Sequence, residues 1–143
     1  GRDYRFVTES QFEKIRRAGG MAEWAKVHGH WYGTPAGPID QALAAGRTMV
    51  LDVDVQGGMS IHKKYPDALF ILIVPPDPAA LAQRLRGRGT EDVAALRERL
   101  GAATKEMAAA RASGVYNHEV VNDRLDDAVR KVVELIQEES SRK

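Results

Sequence analysis

The chain has 143 residues, of which 43% are hydrophobic and 29% charged, enough for one domain with a real core. A net charge of +1 argues against nucleic-acid binding driven by bulk charge, and the lack of cysteine excludes disulfides and thiolate metal sites. Four histidines without HExxH spacing, no apolar run of membrane-spanning length and no visible signal peptide make a soluble cytoplasmic protein the expectation.

Residues 3–7 alternate apolar and polar and predict a short strand. Thr8 and Gln11 then form a capping-box pattern that opens a helix through Phe12, Ile15 and Arg16, ended by Gly19-Gly20. Residues 22–34 predict a hairpin turning near Gly29-His30. Pro38 suits the first turn of a second helix that stops at Gly46. A strand over 48–54 and a helix from Gln56 to Lys64, ended by Pro66, come next. Residues 68–74 are continuously apolar and stop at Pro75-Pro76, as a strand buried on both faces would. Asp77-Pro78 then reads as an N-cap with proline at the first helical position, in a helix to about Arg86. After Gly87-Arg88-Gly89 a long helix runs from about Glu91 to Ala112, then a short strand from His118 to Val121. A closing helix spans Asp126 to about Glu139, with Val129, Val132, Val133 and Ile136 on its apolar face. From residue 39 onward, helices and strands alternate, which predicts an α/β fold: a parallel sheet with helices on both faces. The first 38 residues break that pattern and suggest a subdomain laid against the sheet.

Within the predicted strand 48–54, Asp52 and Asp54 share one face, because side chains alternate along a strand. A half-exposed antiparallel strand would explain them plainly. The run Met49 to Leu51 instead reads as buried on both faces, with carboxylates only at its end. Ligands of open α/β sheets bind at the carboxyl ends of strands, where an aspartate also serves Mg²⁺ in phosphoryl transfer. Both readings stand on this stretch alone.

Five stretches, GRDYRFV (1–7), AEWAKVHGHWYGTP (22–35), LDVDVQGG (51–58), IVPPDPAALAQRLRGRGT (73–90) and VVNDRLDDA (120–128), together resemble the guanylate kinase family, in its order and at similar spacing over essentially the whole chain. The resemblance implies a P-loop nucleoside-monophosphate-kinase-like fold and Mg²⁺-dependent transfer of phosphate from ATP to GMP. It also implies one domain: residues 1–38 as GMP-binding subdomain, 39–83 and 104–143 as core, and 84–103 as helical lid. The family's phosphate-binding GxxGxGK[ST] loop, its first strand and a GMP-phosphate-gripping segment are not in these residues. They are expected upstream in a longer parent protein, so the 143 residues alone are expected to be inactive. A relative that truly lacks the loop is the other reading.

The resemblance assigns Glu23, assisted by Asp54, to the guanine N1–H and N2–H₂ donors, which a carboxylate accepts as a fork. Thr34 matches a hydroxyl near guanine O6, and Tyr4 and Tyr32 match phenols on the GMP phosphate. Taken singly, these residues read as an exposed strand glutamate, a turn threonine and packing tyrosines. Trp31 reads as packing in either case. Asp52 matches a carboxylate acting on Mg²⁺ through a metal-bound water. Arg84, Arg88 and Arg99 match lid arginines that neutralise the transferring phosphate, with Arg84 and Arg88 also on ATP, and Gly87 and Gly89 as lid hinges. A solvated basic helix face is the plainer reading, and it suits Arg86 and Arg97. Asn122 matches the adenine side, or simply a turn before a helix. His30, Asn117 and Arg124 depart from the family pattern, the last two on the adenine side. No nucleic-acid or membrane partner is expected, and the residues set no oligomeric state. Two other functions fit: a non-catalytic guanylate-kinase-like module that binds a partner protein, and a GMP-binding protein without turnover. The missing P-loop favours the module, whereas retention of Glu23, Asp52, Asp54 and the lid arginines favours the enzyme.

Overall fold

The computed structural model describes residues 5–77 and 93–142. The chain divides into two compact units, Gly1–Pro66 and Asp67–Lys143. The Asp77-Pro78 helix start, the helix after it and the Gly87–Gly89 break extend outside the described residues.

In the first unit, helix α1 (Glu9–Arg17) starts with the predicted capping box. The Thr8 hydroxyl accepts from the Gln11 N–H at 3.2 Å, and Gln11 Oε1 accepts from the Thr8 N–H at 2.9 Å. These reciprocal bonds satisfy two backbone donors that a helix start otherwise leaves unpaired. Antiparallel strands β1 (Met21–Val27) and β2 (His30–Pro35) follow. Their turn falls one residue earlier than expected, at His28 and Gly29, with φ of 47° and 84°. Positive φ at both central residues is the type I′ solution, whose twist matches that of the strands. Helix α2 (Ala36–Ala44) takes Pro38 in its first turn, where the missing N–H loses nothing. Helix α3 (Val55–Lys64) is capped by Asp54. The Tyr65 hydroxyl donates to Asp40 Oδ1 at 2.7 Å, tying the end of α3 to α2. Desolvation, then the Asp40 carboxylate, pushes the Tyr65 phenol up to about 12.

Two expected strands are corrected here. Residues 5–7 are irregular, and so are residues 47–54, which have no ladder pairing among the described residues. β-branched content reports only that a segment fits a pleated surface, whereas a strand exists through a partner. Among the described residues that segment has none, so Asp52 and Asp54 do not share a strand face.

In the second unit, β3 (Ile71–Val74) pairs in parallel with β4 (His118–Val121), from Ile71 opposite His118 to Val74 opposite Val121. A parallel pair needs a long crossover, and helix α4 (Val93–Ala112) lies within it. Strand β3 is shorter than the apolar run that encodes it. The Phe70 N–H goes to the Asn117 side chain at 2.7 Å, outside the ladder. Nor is the pair buried throughout: Ile73, on the face of Val120, and Val121, on the face of Val74, are half-exposed.

Helix α5 (Leu125–Ser140) packs on the face that carries Ile71 and Val120. Buried Val120, Ala128 and Leu135 form one core cluster, with Leu69, Ile71 and Val132 packed against it. Val129 and Val133, expected on the core face, are half-exposed. The apolar stripe is wider than its contact, and the small Ala128 lets the helix rest on an edge of that stripe. No helix among the described residues is long and apolar enough to cross a membrane.

Candidate functional site

The hairpin register decides which side chains meet. Glu23 stands opposite Thr34, Trp24 opposite Gly33, Ala25 opposite Tyr32 and Lys26 opposite Trp31. Alternation then places Glu23, Ala25, Tyr32 and Thr34 on one face and Trp24, Lys26 and Trp31 on the other. An irregularity between Met21 and Glu23 sets this phase.

The tryptophan face lies under α1. Buried Phe12 stacks on Trp31 with centroids 5.8 Å apart, and Trp31 meets Trp24 at 5.5 Å. The Arg16 guanidinium sits 4.7 Å above Trp24, and Lys26 Nζ lies 5.0 Å from Trp31. Glu13 orients Arg16 through bonds of 2.6 and 2.7 Å and also accepts from Arg17. The two guanidiniums hold the Glu13 carboxyl down to about 2. This face is packing, as expected for Trp31.

The other face carries the polar site. The Thr34 hydroxyl donates to Glu23 Oε1 at 2.6 Å, with both residues half-buried. A hydroxyl has one proton, so while Thr34 orients Glu23 its oxygen can only accept. Thr34 thus positions the carboxylate in this geometry, a role its spacing alone did not disclose. Gly33 keeps the strands close: a Cβ there would lie 2.7 Å from the Glu23 carbonyl oxygen.

The N-terminus of α3 meets this face. Asp54 Oδ1 accepts from the Gly57 N–H at 2.7 Å, so one of its oxygens caps the helix. The Glu23 stem and this carboxylate both come within 4 Å of one point, the place of a Cβ at Gly57. Glu23, Thr34 and Asp54 are therefore brought together although they are separated along the chain.

Tyr32 shares the face and is 46% exposed. Asp52, two residues before the cap, is exposed on the irregular segment. Among the described residues no three His, Asp or Glu side chains gather as a metal cage. Asn122 lies in the second unit just past β4, its N–H donating to the Val74 carbonyl at 2.8 Å. Arg124 pairs with Asp127 at 3.5 Å. Tyr4, Arg84 and Arg88 lie outside the described residues; Arg99 is on the backbone of α4, and its side chain also lies outside them.

Comparison with known proteins gives this arrangement its context. The guanylate kinase family model matches residues 1–139. The chain belongs to the guanylate kinase family. Guanylate kinases of Anaeromyxobacter dehalogenans and Gloeobacter violaceus are 44% and 42% identical to it, over 99% and 97% of its length. One from Thermotoga maritima is 40% identical over 99%. The chain spans 62% and 66% of the first two of these relatives. A crystal structure of guanylate kinase from Anaplasma phagocytophilum superposes with a TM-score of 0.75 at 24% identity, covering 98% of this chain and 66% of that one. The α/β architecture is thus that of a guanylate kinase.

Proposed function

We propose that this chain is the nucleotide-reading portion of an ATP:GMP phosphotransferase, with Glu23 and Asp54 recognising guanine. The carrying observation is the convergence of the Thr34-held Glu23 carboxylate and Asp54 beside the start of α3. Guanine presents adjacent N1–H and N2–H₂ donors, and a held carboxylate accepts both. Adenine presents an acceptor at N1, which these carboxylates would repel. Asp54 Oδ1 is engaged by the helix N–H, which leaves Oδ2 for the base. Tyr32, on the same face, suits the GMP phosphate, and Tyr4 is assigned there with it.

The GMP phosphate oxygen is the nucleophile, so the protein contributes in-line positioning and charge neutralisation rather than a covalent group. Arg84, Arg88 and Arg99 are assigned to the transferring phosphate, and Arg84, Arg88 and Asn122 to ATP. Mg²⁺ keeps several waters and arrives with substrate phosphates, so it asks for one or two carboxylates and not a cage. Exposed Asp52 fits that demand through a bound water. When bound, Mg²⁺ neutralises phosphate charge. The cytoplasm, where both nucleotides are abundant, is the proposed location.

The test is titration of GMP and AMP into the full-length protein and its Glu23→Gln variant, with steady-state kinetics in parallel. Strong GMP preference in the wild type, lost in the variant at unchanged ATP KM, is expected. Absence of GMP binding by the wild type overturns the reading and leaves the partner-binding module.

A further inference from the structure

Gly57 and Gly58 are both buried within α3, where glycine is a poor helix former and alanine would serve better. The surroundings of Gly57 explain its presence. A Cβ built there falls 3.1 Å from Val53 Cβ, 3.2 Å from Asp54 Oδ1 and 3.7 Å from Glu23 Cγ. The first two separations are tighter than ordinary contacts, and the third fills the space along the Glu23 stem. One methyl group would therefore push the Asp54 carboxylate by a few tenths of an ångström and come into ordinary contact with the Glu23 stem. The Gly57 N–H is also the donor that fixes Asp54 Oδ1 at 2.7 Å.

We propose that Gly57 is a positioning residue for guanine specificity. Its bare Cα lets the hairpin glutamate and the helix-capping aspartate approach one another, and its N–H sets which Asp54 oxygen is offered outward. The inference rests on the proposal that Glu23 and Asp54 read the base. It accounts for a glycine inside a helix that no turn or positive φ requires.

The test compares the full-length wild type with Gly57→Ala and with Gly37→Ala, a helical glycine whose added Cβ meets nothing within 4 Å. GMP and AMP affinities, MgATP KM and thermal midpoints are measured for each. Displacing groups by a fraction of an ångström should weaken GMP binding of Gly57→Ala by roughly 10- to 100-fold. The GMP/AMP ratio should narrow, while MgATP KM and the thermal midpoint hold. Gly37→Ala should bind GMP as the wild type does. Gly57→Ala with wild-type GMP affinity overturns the inference and leaves the base-reading proposal standing. Failure of that variant to fold, or equal losses toward GMP and ATP, also overturns it by giving Gly57 a general packing role. A wild type that does not bind GMP removes the reading beneath it.

Discussion

On one face of the hairpin Trp24, Trp31 and Lys26 pack under α1; on the other, Glu23 and Thr34 meet the start of α3. The tryptophan face is held by area and by cations over rings, interactions that tolerate small displacements. The carboxylate face is held by two hydrogen bonds of 2.6 and 2.7 Å and by a gap that one methyl group would close. The same seven-residue strand β1 thus packs on one side and, in the proposed function, reads the base on the other. Mutations on the two faces should separate the two properties.

The largest effect is expected at Glu23. Glu23→Gln keeps the shape but turns one acceptor oxygen into a donor. A site built on hydrogen bonds can reject a mismatched analogue by roughly 10⁴-fold, so most of the GMP/AMP discrimination should disappear. Denaturation midpoints should move little, because the residue is only half-buried; comparable losses of stability and affinity would erase the contrast.

Phe12 should behave in the opposite way. It is buried against Trp31, and Phe12→Ala should destabilise the protein by about 3 kcal/mol in urea denaturation. The folded fraction should keep its GMP affinity to within about twofold, as expected of sites without shared partners. A large affinity loss at full folding would show that the two faces are coupled.

Asp54 belongs to both classes, and two substitutions divide its roles. Asp54→Ala removes the cap and should cost about 1 kcal/mol, together with GMP affinity. Asp54→Ser restores a capping oxygen without a carboxylate, so stability should recover and GMP affinity should not. Recovery of both would reduce Asp54 to a helix cap.

The smallest effect concerns Glu13, whose carboxyl is held near 2 by Arg16 and Arg17. A depressed acid contributes stability above its ordinary value near 4.5, lost as pH falls toward 2. Arg17 is exposed, and Glu13 and Arg16 are only half-buried, so solvent screens the cluster and the contribution is slight. The thermal midpoint of Glu13→Gln should lie just below that of the wild type at neutral pH and coincide with it near pH 2. A difference that persists in acid would assign Glu13 a role other than its charge.

Several local elements and the family were legible in the residues alone. The capping box at Thr8, the hairpin, the first turn at Pro38 and the helix after Gln56 are encoded by neighbours a few residues apart, and each formed where its chemistry is written. Stretches in register along the chain carried the family. The tertiary structure alone decided which elements found partners and which side chains converged. Residues 48–54 have strand composition yet no ladder among the described residues, because pairing is a property of two segments. Val129 and Val133 share the helical periodicity of Val132, yet Ala128 and Leu135 took the core face beside Val132, because the neighbouring sheet selects the contact. Asp54, read as one of two carboxylates on a strand, became a helix cap beside Glu23 once α3 began at Val55. Gly57-Gly58 lie inside the helix expected from Gln56 to Lys64. Their one legible signal was a pair of glycines just after an aspartate in a helix-forming run. Its meaning depended on Glu23, thirty-odd residues earlier in the chain, and only folding brings that side chain within reach.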